Sequence, residues 1–102
     1  METYVILRRG GWRTAEEVQA AQVRATTEAD RMSDYVLWIR SYVLAEPDGY
    51  LGMACVYEAS SPEAVRRHAY TAILPVDEIV AVADTLVVHP DPERVAMQTA
   101  GP

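Results

Sequence analysis

The segment GMACVYEASSPEAVRRHA, residues 52 to 69, concentrates side chains that could do chemistry. It contains the only cysteine, Cys55, and one of two histidines, His68, with the carboxylate of Glu58 between them. Thiolate, imidazole and carboxylate together can ligate borderline divalent metals such as nickel. A lone cysteine on a strand is more often a small buried hydrophobe, and a histidine on a helix face is more often a hydrogen-bonded core residue. Both interpretations stay open at this point.

The composition excludes several classes of function. All nine basic residues are arginine, so neither a Schiff-base lysine nor a phosphate-loop lysine is present. The formal net charge is -6 and the arginines are scattered, which argues against a nucleic-acid partner. No apolar run approaches the roughly 20 residues that cross a membrane, and one cysteine cannot form an internal disulfide. We therefore expect a cytoplasmic protein that does not interact with membranes.

Hydrophobic patterning predicts six elements in one domain over residues 1–90, followed by a C-terminal tail over 91–102. Thr14 and Ser61 are residue types that cap helices, and each precedes small or apolar residues at helical spacing. Strands are predicted over residues 3–8, 35–44, 50–59 and 77–88. The inward stripes of the two helices are Val18, Ala21, Ala25 and Ala29, and Val65, His68, Ala69 and Ala72.

The order β-α-β-β-α-β predicts an α+β, ferredoxin-like fold. In this fold a four-stranded antiparallel sheet carries both helices on one face and leaves the other face open. Pairing the central hairpin so that Leu44 lies opposite Leu51 assigns each side chain to a face. The predicted helix-facing set is Leu37, Ile39, Ser41, Val43, Ala54 and Val56, with Glu58 and His68 also on that side. The predicted open-face set is Trp38, Arg40, Tyr42, Met53, Cys55 and Tyr57.

An open face with this many aromatic side chains is too apolar to stay in water, because large exposed apolar patches mark interfaces or ligand sites. We therefore predict a homodimer that buries Trp38, Tyr42 and Tyr57. A ligand pocket at this fold could provide aromatic stacking, one fixed cation and one titratable base. The candidate ligand-binding residues are Trp38, Arg40, Tyr42, Tyr57 and His68, and none can be assigned a catalytic role.

Four blocks, YVILR, WIRSYV, CVYEASSPEAVRRHA and LPVDEIVAV, resemble successive blocks of a family of short bacterial proteins. That family includes the actinobacterial nickel-responsive, nickel-binding proteins, and the resemblance covers about residues 3 to 90. It implies a ferredoxin-like homodimer with packed sheets, a dimeric α+β barrel, and nickel as the candidate cofactor. The metal ligands it implies are His68, with Glu58 and Cys55 as motif neighbours. Arg40 stands where members often carry histidine, and Ile73 replaces a family glycine.

Two functions follow from these observations. The first is a small homodimeric ligand-binding protein of the nickel-responsive family, in which we expect nickel binding to be weak or absent because family histidines are missing. The alternative is a cofactor-free small enzyme, similar to monooxygenases or polyketide cyclases, that acts on an aromatic or polyketide-type substrate in the barrel cavity. The alternative rests on fold-level analogy alone. A structural dimer that binds no ligand is a third interpretation.

Overall fold

The computed structural model describes residues 1–92 and has the predicted βαββαβ order. Its strands pair antiparallel in the spatial order β2-β3-β1-β4. In the described part of the chain, no helix is long and apolar enough to span a membrane. Of the predicted tail, only residues 91 and 92 lie within the described range. The elements are β1 (Glu2–Trp12), α1 (Ala15–Arg31), β2 (Val36–Ala45), β3 (Leu51–Ala59), α2 (Pro62–Ala72) and β4 (Glu78–Ala81).

Both helices begin where their capping residues predict. The Thr14 hydroxyl accepts a hydrogen bond from the Glu17 backbone N–H at 3.2 Å. The Ser61 hydroxyl accepts one from the Ala64 N–H at 3.1 Å, and Pro62 takes the first helical position. The stripes predicted to face inward are buried, which confirms them: Val18, Ala21, Ala25 and Ala29 in α1, and Val65, His68, Ala69 and Ala72 in α2.

The second helix ends on an unusual residue. Ile73 caps α2 in the left-handed conformation, with φ 59°. A β-branched residue is poorly suited to this region because its Cβ crowds the backbone. The strain is not offset by burial, since the side chain is 73% exposed.

The fourth strand is shorter than predicted. The sequence pattern indicates a strand over 77–88, but pairing stops after Glu78–Ala81. The last hydrogen bond of this edge runs from the Val82 N–H to the Thr3 carbonyl at 2.9 Å. Because β1 itself starts at Glu2, residues beyond 82 have no neighbouring backbone with which to pair.

The pairing of β2 with β3 differs from the prediction in two ways. Leu44 pairs with Gly52, one position from its expected partner. The register then shifts between Trp38 and Arg40, where one extra residue on β2 interrupts the ladder. Such a bulge reverses the side-chain alternation on one side of it relative to the other. The predicted faces therefore hold for only part of each strand.

The side chains of β3 face the opposite sides from those predicted. Cys55 and Tyr57 are fully buried under the helices, whereas Glu58 borders a cavity on the open face. The physical reason is that stripes built largely of alanine leave room for large side chains, so the aromatic face of the sheet turns inward. The prediction is wrong for Leu37, Trp38, Met53, Ala54, Cys55, Val56, Tyr57 and Glu58. It is confirmed for Arg40, Ser41, Tyr42 and Val43.

Candidate functional site

The helix-covered side of the sheet contains a buried arginine. Arg8, on the same face of β1 as Tyr4 and Ile6, is completely inaccessible to solvent. Its guanidinium donates hydrogen bonds from Nη1 to the Pro75 carbonyl at 2.7 Å and from Nη2 to the Tyr57 hydroxyl at 3.2 Å. Both acceptors are neutral oxygens. Burial of a cation costs free energy unless its N–H donors form well-placed hydrogen bonds.

His68 continues the hydrogen-bond network from Tyr57 to α1. Its Nε2 lies 2.9 Å from the Ala25 carbonyl, which can only accept, so Nε2 carries the proton. Its Nδ1 is then an acceptor, and the Tyr57 hydroxyl 3.3 Å away donates to it. The result is a directed chain from Arg8 through Tyr57 and His68 to the backbone of α1. Both ring nitrogens of His68 are occupied within the protein.

Burial favours the neutral forms of His68 and Tyr57, the two titratable groups of this hydrogen-bond chain. It lowers the pKa of His68, and the nearby Arg8 charge lowers it further, while the hydrogen bond to Ala25 opposes the shift. Burial also raises the pKa of Tyr57 to about 12, although Arg8 partly offsets this. A neutral imidazole and a neutral phenol are the states that this arrangement of donors and acceptors requires.

Cys55 lies in the same buried layer. Its sulfur accepts a hydrogen bond from Arg8 Nε at 3.4 Å and lies 3.8 Å from the Met53 sulfur. Glu58 is on the other face of the sheet, where it borders the cavity of the open side. Within residues 1–92, histidine, cysteine and carboxylate side chains form no group of three or more that could hold a metal ion.

The open face carries rows of side chains set by the strand register. One row runs across all four strands as Val80, Val5, Val56 and Arg40. Residues 82–91 leave β4 and pass over this face, and a cavity of about 770 Å³ lies between them and the sheet. We call it the open-face cavity.

Arg40 connects this segment to the sheet. Its Nη1 forms an ion pair with Asp91 Oδ2 at 3.0 Å and lies 3.5 Å from the Tyr42 hydroxyl. Both members of the ion pair are largely solvent-accessible, so their attraction is screened and weak. Glu58 and His89 also line the open-face cavity. Its chemistry is therefore an aliphatic floor with a guanidinium, a phenol, an imidazole and two carboxylates at the walls.

The structure divides the predicted site residues between the two sides of the sheet. The ligand candidates Trp38, Tyr57 and His68 lie on the helix side, where Trp38 stacks on Tyr57 with ring centroids 6.0 Å apart. Arg40 and Tyr42 lie at the open-face cavity. The proposed metal ligands are divided in the same way, since Cys55 and His68 are on the helix side and Glu58 is not.

The sequence pattern does not predict a role for Arg8. This residue stands at the end of a β-branched run and is predicted only as part of the strand. A signal was present, because Tyr4, Ile6 and Arg8 alternate on one face of β1, and an arginine in an inward position must be satisfied by buried acceptors.

Known proteins provide a comparison for both the fold and the family of this chain. The solved structure of SCO4226 from Streptomyces coelicolor A3(2) is similar, with a TM-score of 0.64 and 24% sequence identity, over 82% of this chain and 99% of that chain. At that identity the likeness concerns the fold alone. No curated protein matches the chain. The model of the family described as nickel responsive protein SCO4226-like matches residues 4–82. The chain belongs to this nickel-responsive family.

Proposed function

We propose that the chain is a small homodimeric ligand-binding protein of its family, and that it holds a small aromatic acid in the open-face cavity. The observation that carries this proposal is the cavity of about 770 Å³ between the sheet and residues 82–91, with Arg40 at its wall. This volume lies within the range of about 300 to 1,000 Å³ that is usual for small-molecule sites.

The lining favours a ligand with a flat apolar body and one carboxylate. Val5 and Val56 form an aliphatic floor that can receive a ring. Arg40 is held by Asp91, whose side chain is 75% exposed, so a ligand carboxylate can take the place of Asp91 with little loss. Tyr42 lies beside the same guanidinium and can donate its hydroxyl proton.

Apolar side chains around the open face support a second copy of the chain as its cover. Leu86, Val87 and Val88 are each more than three-quarters exposed, and Tyr42 and Val80 on the sheet are also exposed. A contiguous apolar surface of this kind is typical of an interface. Trp38 and Tyr57, which the sequence pattern predicts at the interface, lie on the helix side of the sheet and cannot contribute. The proposed interface therefore consists of aliphatic residues and Tyr42.

Light scattering tests the assembly. We expect about twice the chain mass of 11.3 kDa at micromolar concentration. Val88→Arg, in the exposed apolar segment of the proposed interface, should give a monomer because it places a charge where the partner would pack. Val23→Arg is the matched control on the exposed surface of α1 and should remain a dimer. A monomeric wild-type protein would contradict the proposed assembly.

Calorimetric titration with sodium benzoate tests the ligand class, since benzoate is a minimal aromatic acid. We expect saturable binding that Arg40→Leu removes, because the substitution deletes the cation that would receive the carboxylate. Arg66→Leu, on the exposed surface of α2, should leave binding unchanged. Benzoate binding that is absent in the wild type, or unaffected by Arg40→Leu, would contradict the assignment of this cavity.

A further inference from the structure

A second pocket lies on the other side of the sheet, between α1 and β2. Its volume is about 300 Å³, at the lower end of the range for small-molecule sites. Val18 and Met53 line it on the core side, and both are buried. Gln22, Trp38 and Ser41 also line it. We call it the helix-side pocket, and the proposed homodimeric function does not depend on it.

The β-bulge of β2 brings the side chains of Trp38 and Ser41 together at this pocket. Trp38 and Ser41 are three residues apart and would lie on opposite faces of a regular strand. Because the register shifts between Trp38 and Arg40, both side chains instead point to the helix side, paired with Tyr57 and Cys55. Bulges are frequent beside functional sites because they redirect side chains in this way.

The polar groups at the pocket are arranged to donate and accept hydrogen bonds. The Trp38 indole N–H donates to the Ser41 hydroxyl at 2.8 Å, so this oxygen is an acceptor there and its own proton can be directed to a ligand. The Gln22 amide supplies a donor and an acceptor. Trp38 is held in place by stacking on Tyr57, with an angle of 9° between the rings.

Among residues 1–92, the lining of this pocket offers a ligand no available charge. Arg40 is the one charged residue of that described lining, and its guanidinium is directed to Asp91 and Tyr42 on the open face. A charged ligand would lose hydration here without gaining a partner of opposite charge. A neutral ligand with an amide-like edge avoids that cost.

We propose that the helix-side pocket binds a small, neutral, planar aromatic carboxamide or a heterocycle of the same shape. The ring lies against Trp38, Val18 and Met53. The polar edge meets Ser41 and Gln22. This site differs from the open-face cavity in both location and ligand charge.

Nuclear magnetic resonance of the two tryptophan indole N–H groups provides a local readout, with benzamide as the probe. Trp38 lines the pocket, while Trp12 is buried in the core and does not line it. Trp12→Phe assigns the two signals. We expect benzamide to shift the Trp38 signal saturably, in the millimolar range or tighter, and to leave the Trp12 signal in place.

Variants and a matched probe identify the site. Gln22→Ala and Ser41→Ala should each weaken benzamide binding by about threefold to tenfold, the loss expected for one hydrogen bond. Gln19→Ala, on the exposed side of α1, should have no effect. Benzoate has the same ring with a negative charge, and any binding of it should depend on Arg40 but not on Gln22.

Failure of this site and failure of the proposed function are distinguishable. Absence of a saturable Trp38 shift with benzamide overturns the helix-side proposal, whatever benzoate does at the open face. Equal benzamide affinity in the wild type, Gln22→Ala and Ser41→Ala also overturns it. If either variant fails to fold, the other still provides the test.

Discussion

The Tyr57 hydroxyl oxygen lies 3.3 Å from Nδ1 of His68, and the two rings meet at 59° with centroids 5.3 Å apart. This contact joins the central strand β3 to α2. Because Nε2 of His68 is already bound to the Ala25 carbonyl, Tyr57 must be the donor. Protonation of Nδ1 would leave the Tyr57 hydroxyl without its acceptor and would add a second buried cation near Arg8.

We expect acid to destabilise the protein through His68. Its pKa in the folded state is below the unfolded value near 6.5, so the unfolded chain binds the proton more readily. The contribution of the neutral ring is complete above about pH 6.5 and is lost as the pH falls below that value. The free energy of unfolding, measured by urea titration from pH 5 to pH 8, should therefore rise with pH.

His68→Leu should flatten this pH dependence and cost about 1 to 2 kcal/mol at pH 8, since it leaves the Tyr57 hydroxyl and the Ala25 carbonyl without their partner. His89→Leu is the control, because that histidine is exposed and the pH dependence should persist. Benzoate binding should survive His68→Leu. Loss of binding without loss of stability would instead identify His68 as a ligand-contacting residue.

Arg8→Lys should destabilise the protein by about 2 kcal/mol or more. Lysine cannot reproduce the planar donor set that reaches the Pro75 carbonyl and the Tyr57 hydroxyl, and an unsatisfied buried polar group costs about 1 to 3 kcal/mol. Arg66→Lys, on the exposed surface of α2, should change stability by less than about 0.5 kcal/mol. Similar denaturation midpoints for the two variants would show that Arg8 contributes little to stability.

Ile73→Gly should stabilise the protein by about 1 kcal/mol. Glycine adopts the left-handed conformation of this helix cap without the clash that an L side chain has there. The isoleucine side chain is mostly exposed, so little packing is lost. Thermal unfolding should show a midpoint about 4 to 8 °C higher. Ile73→Ala should give less stabilisation than Ile73→Gly, and a lower midpoint for the glycine variant would be inconsistent with strain at this cap.

We expect tag-free protein to bind nickel weakly or not at all. His68 has both ring nitrogens engaged and is inaccessible to solvent, and the metal-binding side chains of residues 1–92 do not cluster. Calorimetric titration with nickel chloride checks this. Tight binding would contradict the expectation, and tight binding that persists in His68→Ala would also rule out His68 as the ligand.

The helices and the order of the elements could be predicted from the sequence because their signals are local. Thr14 and Ser61 cap helices through residues three positions away, and the buried stripes follow from helical spacing within one segment. The same spacing predicts the inward position of His68 on α2. The βαββαβ order then left few arrangements for a sheet and two helices.

Only the tertiary structure decided which side of the sheet each site residue occupies. A single extra residue between Trp38 and Arg40 reverses the alternation of β2, and no local pattern marks it. The inward turn of Tyr57 and the burial of Arg8 depend on the space beneath alanine-rich helices and on acceptors as distant in sequence as Pro75. These are packing relations between separate segments, and for that reason the sequence could not place the candidate residues on the correct face.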